Sequence, residues 1–270
     1  MALRFDVPTD KYQLTLLRGQ IVDYEAPRRF FLPRTLRKHQ LSGYEPLTMA
    51  AFLACADRST GTIFDIGANI GVYAMVAASI GKFVVAFEPN VDAARILEDI
   101  KERYSLPIRV RNIAVSDCIG TGTLFLSAMS DMSNSLNPSF RAHSGVAEVE
   151  ISTIDEESKY IDIGVIKIDT ESTEMQVLRG ATAAIRNWRP YLFVELLDTT
   201  IAQHARDLLS EFDYEMYSLG DLNTWGRFGV SEIVSGDSRN WIASPTKLDE
   251  GFFEQAMTWL ERLRRLEKAS

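Results

Sequence analysis

The chain has 270 residues, 46% of them hydrophobic, and a formal net charge of −8. That length and apolar share can bury one large core, so a single α/β domain with trimmings is expected. The acidic balance argues against a duplex nucleic-acid partner, because neutralising phosphates needs a basic surface; a small or weakly charged substrate is the natural alternative.

Residues 1–45 read as an N-terminal extension packing on or near the active site, and residues 46–270 as the main domain with a C-terminal helix. In the extension, Arg28, Arg29, Arg34, Arg37 and Lys38 concentrate positive charge. The simpler reading is a solvated face; the sharper one is a contact for phosphate or an acidic carrier protein. Asp6, Asp10, Lys11 and Arg18 interrupt any signal-peptide plan, and no apolar run is long enough to span a bilayer. Cys55 and Cys118 lack metal-ligand spacing and suggest no disulfide framework. A cytoplasmic protein with no membrane partner is expected, and the pattern specifies no oligomeric state.

From residue 46 short apolar runs alternate with helical segments, as βαβ units of a parallel sheet do. Thr62–Asp65 reads as a strand, Val72–Ile80 as a helix stopped by Gly81, and Phe83–Glu88 as a second strand of the continuous type covered on both faces. Pro89 is expected to open a helix through Arg103. A third strand falls near Ile108–Val115, a hairpin near Thr123–Leu126, and an edge strand at Glu148–Ser152. Val165–Asp169 and Tyr191–Leu196 read as core strands joined by one helix across Glu174–Asn187, with Met175, Val177, Leu178 and Ala181 at helical spacing. Ile201–Phe212 reads as helix, and Tyr214–Ser218 and Trp241–Ala243 as weaker strands. The last helix is expected to bury Phe252, Phe253, Met257, Leu260 and Leu263 against its own domain, with Arg262, Arg264, Arg265 and Lys268 near its C-terminus, where cations suit the dipole.

Chemistry concentrates where Asp65 runs into Gly67-Ala68-Asn69-Ile70-Gly71. Glycines there let the backbone turn sharply and let a bulky ligand approach without meeting a Cβ. Glu88 closes the next strand about 20 residues on, where an acid can accept hydrogen bonds from ribose hydroxyls. A pyrophosphate wants an uncluttered helix N-terminus, whereas the ammonium of S-adenosylmethionine welcomes a carboxylate, so Asp65 favours the methyl donor over NAD. The dinucleotide fingerprint also lacks its third glycine, since position 74 is Ala. An NAD-dependent oxidoreductase and a non-catalytic cofactor-binding scaffold stay open as alternatives.

Taken together, several blocks resemble the FkbM-type methyltransferases of the class I S-adenosylmethionine-dependent group, over about residues 42–245. The marks are Gly43-Tyr44-Glu45, Phe64 to Gly71, Ala86-Phe87-Glu88-Pro89-Asn90, Asn112 to Asp117, Ile166 to Glu174 leading to Leu178-Arg179-Gly180-Ala181, and Pro190 to Glu195. The resemblance implies a Rossmann-like, doubly wound sheet of about seven strands, mostly parallel, with the last pair antiparallel. It also implies O-methylation of a hydroxyl on a sugar, polyketide or other secondary metabolite. With the glycine loop it sets the cofactor-binding candidates as Glu45, Asp65, Gly67, Ala68, Asn69, Gly71, Glu88, Pro89, Asn112, Ala114 and Asp117. The family usually has glycine after its Asp-x-Glu, and here Ser172 stands instead; if that position needs a conformation barred to other residues, the turn over the site is altered.

In open parallel sheets the ligand lies beyond the carboxyl ends of the strands, which nominates Asp169, Glu171 and Glu195 for catalysis. A carboxylate there can take the hydroxyl proton, or several can hold a divalent ion that lowers its pKa. The metal-free version is favoured, because no third acid or Asn falls at an obvious ligand spacing. Lys167 shares a strand face with Asp169 and is expected to pair with it. Of the scattered His39, His143 and His204, His143 is the catalytic candidate, lying in a polar stretch, Ser127–Val146, that reads as a flap over the cofactor. The partner expected is a small-molecule hydroxyl acceptor, with carrier-bound and glycoside forms among the candidates.

Overall fold

The computed structural model describes residues 5–219 and 239–267. Mostly apolar runs form strands β3 (Thr62–Ile66), β4 (Val84–Phe87), β9 (Ile163–Ile168) and β10 (Tyr191–Glu195), and more polar segments form β5 (Ile108–Arg111), β11 (Glu215–Ser218) and β12 (Asn240–Ser244). Among the described residues these make one seven-stranded sheet in the order β11-β12-β10-β9-β3-β4-β5. The pairs from β5 across to β10 are parallel, while β12 runs antiparallel to both its neighbours. This is the doubly wound, Rossmann-like sheet expected. Its order reverses between β3 and β9, and a crevice opens at such a switch point beyond the carboxyl ends of the strands.

Strand periodicity divides the core between the two faces. Ile63, Val84, Ala86, Val165 and Phe193 pack with α2 (Pro46–Arg58), α3 (Val72–Ser79), α4 (Val91–Tyr104) and α9 (Glu250–Glu267). Phe64, Ile66, Val85, Phe87, Ile166 and Ile168 pack on the other side with α6 (Glu174–Arg179), α7 (Thr182–Trp188) and α8 (Thr199–Ser210). Each fully buried phenylalanine, such as Phe52, Phe64 or Phe193, contributes about 1.5–3 kcal/mol by leaving water.

Four local expectations change. The single helix across Glu174–Asn187 is two, α6 and α7, because a Cβ at Gly180 would lie 2.1 Å from the Ser116 carbonyl oxygen; the chain breaks there, and Asp155 accepts from the Ala183 and Ala184 amides to start α7. The strand expected over Ile108–Val115 ends at Arg111, and Ala114–Val115 forms β6 in a separate sheet with β7 (Gly120–Ser127) and β8 (His143–Ser152). The segment Glu148–Ser152 is thus in the middle strand of that sheet, β6-β8-β7, rather than at an edge. On α9, Met257 is exposed, and Ala256 and Trp259 are buried with Phe252, Leu260 and Leu263; Lys268 lies outside the described residues.

The extension folds into a hairpin, β1 (Thr9–Thr15) and β2 (Ile21–Pro27), followed by α1 (Phe31–His39). Its arginines bind their own chain: Arg28 pairs with Asp10 at 3.0 Å, Arg29 with Asp92 at 2.7 Å, and Arg37 donates to the Lys11 carbonyl. Among the described residues no helix is long and apolar enough to cross a membrane.

Candidate active site

β3 delivers Asp65 to the switch point, where it stands in register with Lys167 of β9. After Ile66 the chain turns sharply: Gly67 has φ +76 and Gly71 φ +82. The turn is pressed onto β9, since a Cβ at Gly67 would lie 1.8 Å from the Asp169 carbonyl oxygen. Amides of Gly67 and Ala68 both donate to the Phe87 carbonyl at 3.0 Å, tying the loop to the end of β4.

These ends surround a cavity of about 440 Å³. Of the sequence candidates it is lined by Glu45, Asp65, Gly67, Ala68, Asn69, Glu88, Pro89, Ala114, Lys167, Asp169, Glu171 and Glu195. Asp65 is buried; its Oδ2 accepts from the Ala74 amide of α3 at 3.1 Å, and its Oδ1 has no partner among the described residues. Burial pushes its pKa up to about 6 against the pull of Lys167. Glu88 accepts from the Asn69 amide at 2.7 Å and the Asn90 amide at 2.8 Å. Burial lifts it to about 7 even so, and each oxygen keeps a lone pair for one further donor.

Next to Asp65 in the sheet, Lys167 and three acids form a second cluster. Lys167 Nζ donates to Asp169 at 2.8 Å and lies 4.7 Å from the Tyr73 ring centre. Burial works against that ammonium, but the charges of Asp169, Asp65 and Glu45 outweigh it and keep it protonated. Burial likewise raises Asp169, yet Lys167 and a hydrogen bond with Glu195 hold its carboxyl below the usual value. Glu195 is raised by burial and by the Asp169 charge, so at neutral pH the pair shares one proton. Glu171 is raised to about 7 by burial and the Asp169 charge, with Arg141 and Arg239 pulling it back.

The turn carrying Glu171 is strained. Glu171 has φ +55 and Ser172 φ +88, so the position where the family places glycine is indeed left-handed. Ser172 tolerates it with compensation: its hydroxyl accepts from Asn137 Nδ2 at 3.1 Å and contacts the Ser135 hydroxyl. Buried Glu174 gathers the Thr170 and Ser172 amides and the Thr170 hydroxyl onto one oxygen.

Four candidates fall outside the cavity lining. Gly71 serves packing, since a Cβ there would strike Leu97 at 2.4 Å. Asn112 donates to the Glu88 and Pro89 carbonyls and so fixes the end of β4. Asp117 pairs with Arg179 at 3.2 Å. His143 opens β8 with its ring exposed, 4.9 Å from that of Phe125. The polar stretch named for it does reach the cavity, through Met129 to Leu136 and Arg141.

Sequence reasoning missed Tyr44, Tyr73, Asp131, Arg141, Arg239, Phe31 and Leu32, all of which line the cavity. Tyr73 donates to Glu45 at 2.7 Å. Asp131 accepts from the Phe31 amide and from Asn69 Nδ2, joining the N-terminal extension, the loop between β7 and β8 and the glycine turn. Arg239 had a readable signal: a strand antiparallel to β10 must begin where β10 ends, and Asn240 stands opposite Glu195.

The family of the methyltransferase FkbM domain matches residues 65–216. No curated protein matches the chain. Similar solved structures include a methyltransferase FkbM from Methylobacillus flagellatus KT, 18% identical over 68% of this chain and 43% of that one, TM-score 0.48. A T. thermophilus 16S rRNA N2 G1207 methyltransferase in complex with AdoMet and guanosine is 12% identical over 87% of this chain and 50% of that one, TM-score 0.47. A Pyrococcus abyssi tRNA (uracil-54, C5)-methyltransferase in complex with S-adenosyl-L-homocysteine is 12% identical over 82% of this chain and 41% of that one, TM-score 0.41. The chain thus spans half or less of the length of each of these three.

Proposed function

Because the chain belongs to the FkbM methyltransferase family, we propose that it uses S-adenosylmethionine to methylate a hydroxyl of a small acceptor, a sugar, polyketide or similar metabolite. The observation that carries this reading is the pairing of Asp65, buried with one oxygen unpartnered, with Glu88 across one cavity. An unpartnered buried carboxylate oxygen suits an ammonium, and Glu88 with free lone pairs suits a ribose diol. The volume lies within the range of small-molecule sites. Asp65, Gly67, Ala68, Glu88, Pro89 and Ala114 would hold the donor, which supplies an electrophilic methyl on sulfonium.

The chain's own part is to position the acceptor hydroxyl and take its proton. Asp169 is a weak base, because Lys167 and the shared proton already stabilise its charge. The pair with Glu195 keeps that proton at neutral pH. Glu171, near 7, has the value a general base needs. Lys167 supplies positive charge beside Asp169, so a metal-free reaction is the version favoured.

With labelled donor and a panel of hydroxyl acceptors, turnover is expected to rise with pH through about 7 as Glu171 ionises. It should persist in EDTA and fall by about 10²-fold or more in Glu171→Gln. Loss of turnover on chelation, restored by Mg²⁺, would replace the base with a metal. A Glu171→Gln enzyme with near-normal rate would remove Glu171 from the chemistry.

A further inference from the structure

Two cationic groups stand at the same cavity with no task in the steps above. Arg141 and Arg239 both line it and both have exposed side chains. Among the described residues neither makes an ion pair, whereas Arg28, Arg29, Arg103 and Arg179 each do. Arg141 makes one ring contact, and Arg239 is anchored through its backbone. The Arg141 guanidinium lies 4.9 Å from the Phe140 ring centre, and the Ala142 carbonyl beside it is bound by the Ala128 amide at 3.1 Å. Arg239 is fixed at its backbone, where its carbonyl accepts from the Leu196 amide at 2.7 Å, next to Glu195.

Their charge exceeds what Glu171 can balance. Both act on its carboxyl, yet burial and Asp169 keep that group near 7, about half ionised at neutral pH. The two guanidiniums therefore put positive charge on the exposed edge of an otherwise acidic cavity, on a chain of net charge −8. Guanidinium groups at a cavity mouth bind oxyanions in preference to neutral hydroxyls, through a planar fork of donors.

We propose that the acceptor carries an oxyanion, a phosphate, sulfate or carboxylate, which Arg141 and Arg239 hold so that its hydroxyl lies beside Glu171. This rests on the methyl-transfer reading and specifies the acceptor's chemical class. Inorganic phosphate, sulfate and acetate serve as probes for the three kinds of group, titrated calorimetrically into protein saturated with S-adenosylhomocysteine at constant ionic strength. Saturable binding of at least one anion is expected, weakened about tenfold or more in the double variant Arg141→Ala/Arg239→Ala. The Arg141→Lys/Arg239→Lys protein should retain part of it, and S-adenosylhomocysteine affinity should be unchanged in both. The anion bound most tightly identifies the group.

No saturable binding to wild type, or equal binding to the double alanine variant, overturns the proposal. So does weakened S-adenosylhomocysteine affinity in that variant, since the arginines would then belong to the cofactor. If wild type does not bind S-adenosylhomocysteine, the methyl-transfer reading fails separately, and the same anion titration on the unliganded protein still decides whether the arginine pair is an anion site.

Discussion

Gly67→Val is expected to destabilise the protein by about 4 kcal/mol or more, through overpacking and a barred backbone conformation together. For a chain of this size that is a fall in Tm of roughly 10 °C. At sequence level the substitution looks like a change at the ligand surface alone. The structure shows otherwise: the Cβ would sit 1.8 Å from the Asp169 carbonyl oxygen, at φ +76. To relieve the overlap the ends of β3 and β9 must part, and those ends carry Asp65 and Asp169. Gly81→Val isolates the second effect, because Gly81 has φ +89 but open space around its missing Cβ; it should cost only about 1–2 kcal/mol. Thermal unfolding of both variants checks the difference. Equal losses would mean that the glycine loop does not press on β9.

Lys167→Met is the second large effect. It removes the partner of Asp169 from a buried pair and leaves Asp65 and Glu45 nearby without their compensating charge. Breaking such a pair from one side costs about 3–5 kcal/mol. The pH dependence has a definite sign. In wild type the Asp169 carboxyl lies below its ordinary value of 3.8, so its stabilisation is present above that value and is lost as pH falls through the folded one. Without Lys167 the folded value is raised instead, and stability is lost as pH rises through it. Denaturant unfolding should therefore show little difference between the two proteins near pH 4 and the full loss at pH 7–8. A constant difference across that range would show that Lys167 acts through packing against Tyr73 rather than through charge.

The sheet is readable chiefly through β3, β4, β9 and β10, short and mostly apolar runs covered on both faces. The glycine turn, Asp65, Glu88, Asp169, Glu171 and Glu195 were readable because a parallel sheet gathers strand ends at one edge. Residues brought in by long loops were not. Asp131 and Arg141 lie in a connection between β7 and β8 whose course no periodicity encodes, and the same stretch drew attention to His143, which the strand instead points into solvent. Asn112 and Asp117 were read as ligand contacts from their block alone. In the structure one holds carbonyls at the end of β4 and the other pairs with Arg179. The break at Gly180 is hidden because helical spacing runs across it, while the contacts that mark it, Ser116 against Gly180 and Asp155 on the amides that start α7, come from segments distant in sequence.

Titration of wild type and Asp65→Asn with S-adenosylhomocysteine between pH 5 and 8 tests the cofactor assignment most directly. Burial raises the pKa of Asp65 to about 6, and a ligand ammonium binds its ionised form better. Wild-type affinity should rise with pH through about 6, and Asp65→Asn should bind about tenfold to a hundredfold more weakly at pH 8, as loss of a charge-assisted hydrogen bond requires. Affinity that is the same in both proteins and flat across the range would contradict the placing of the methyl donor in this cavity.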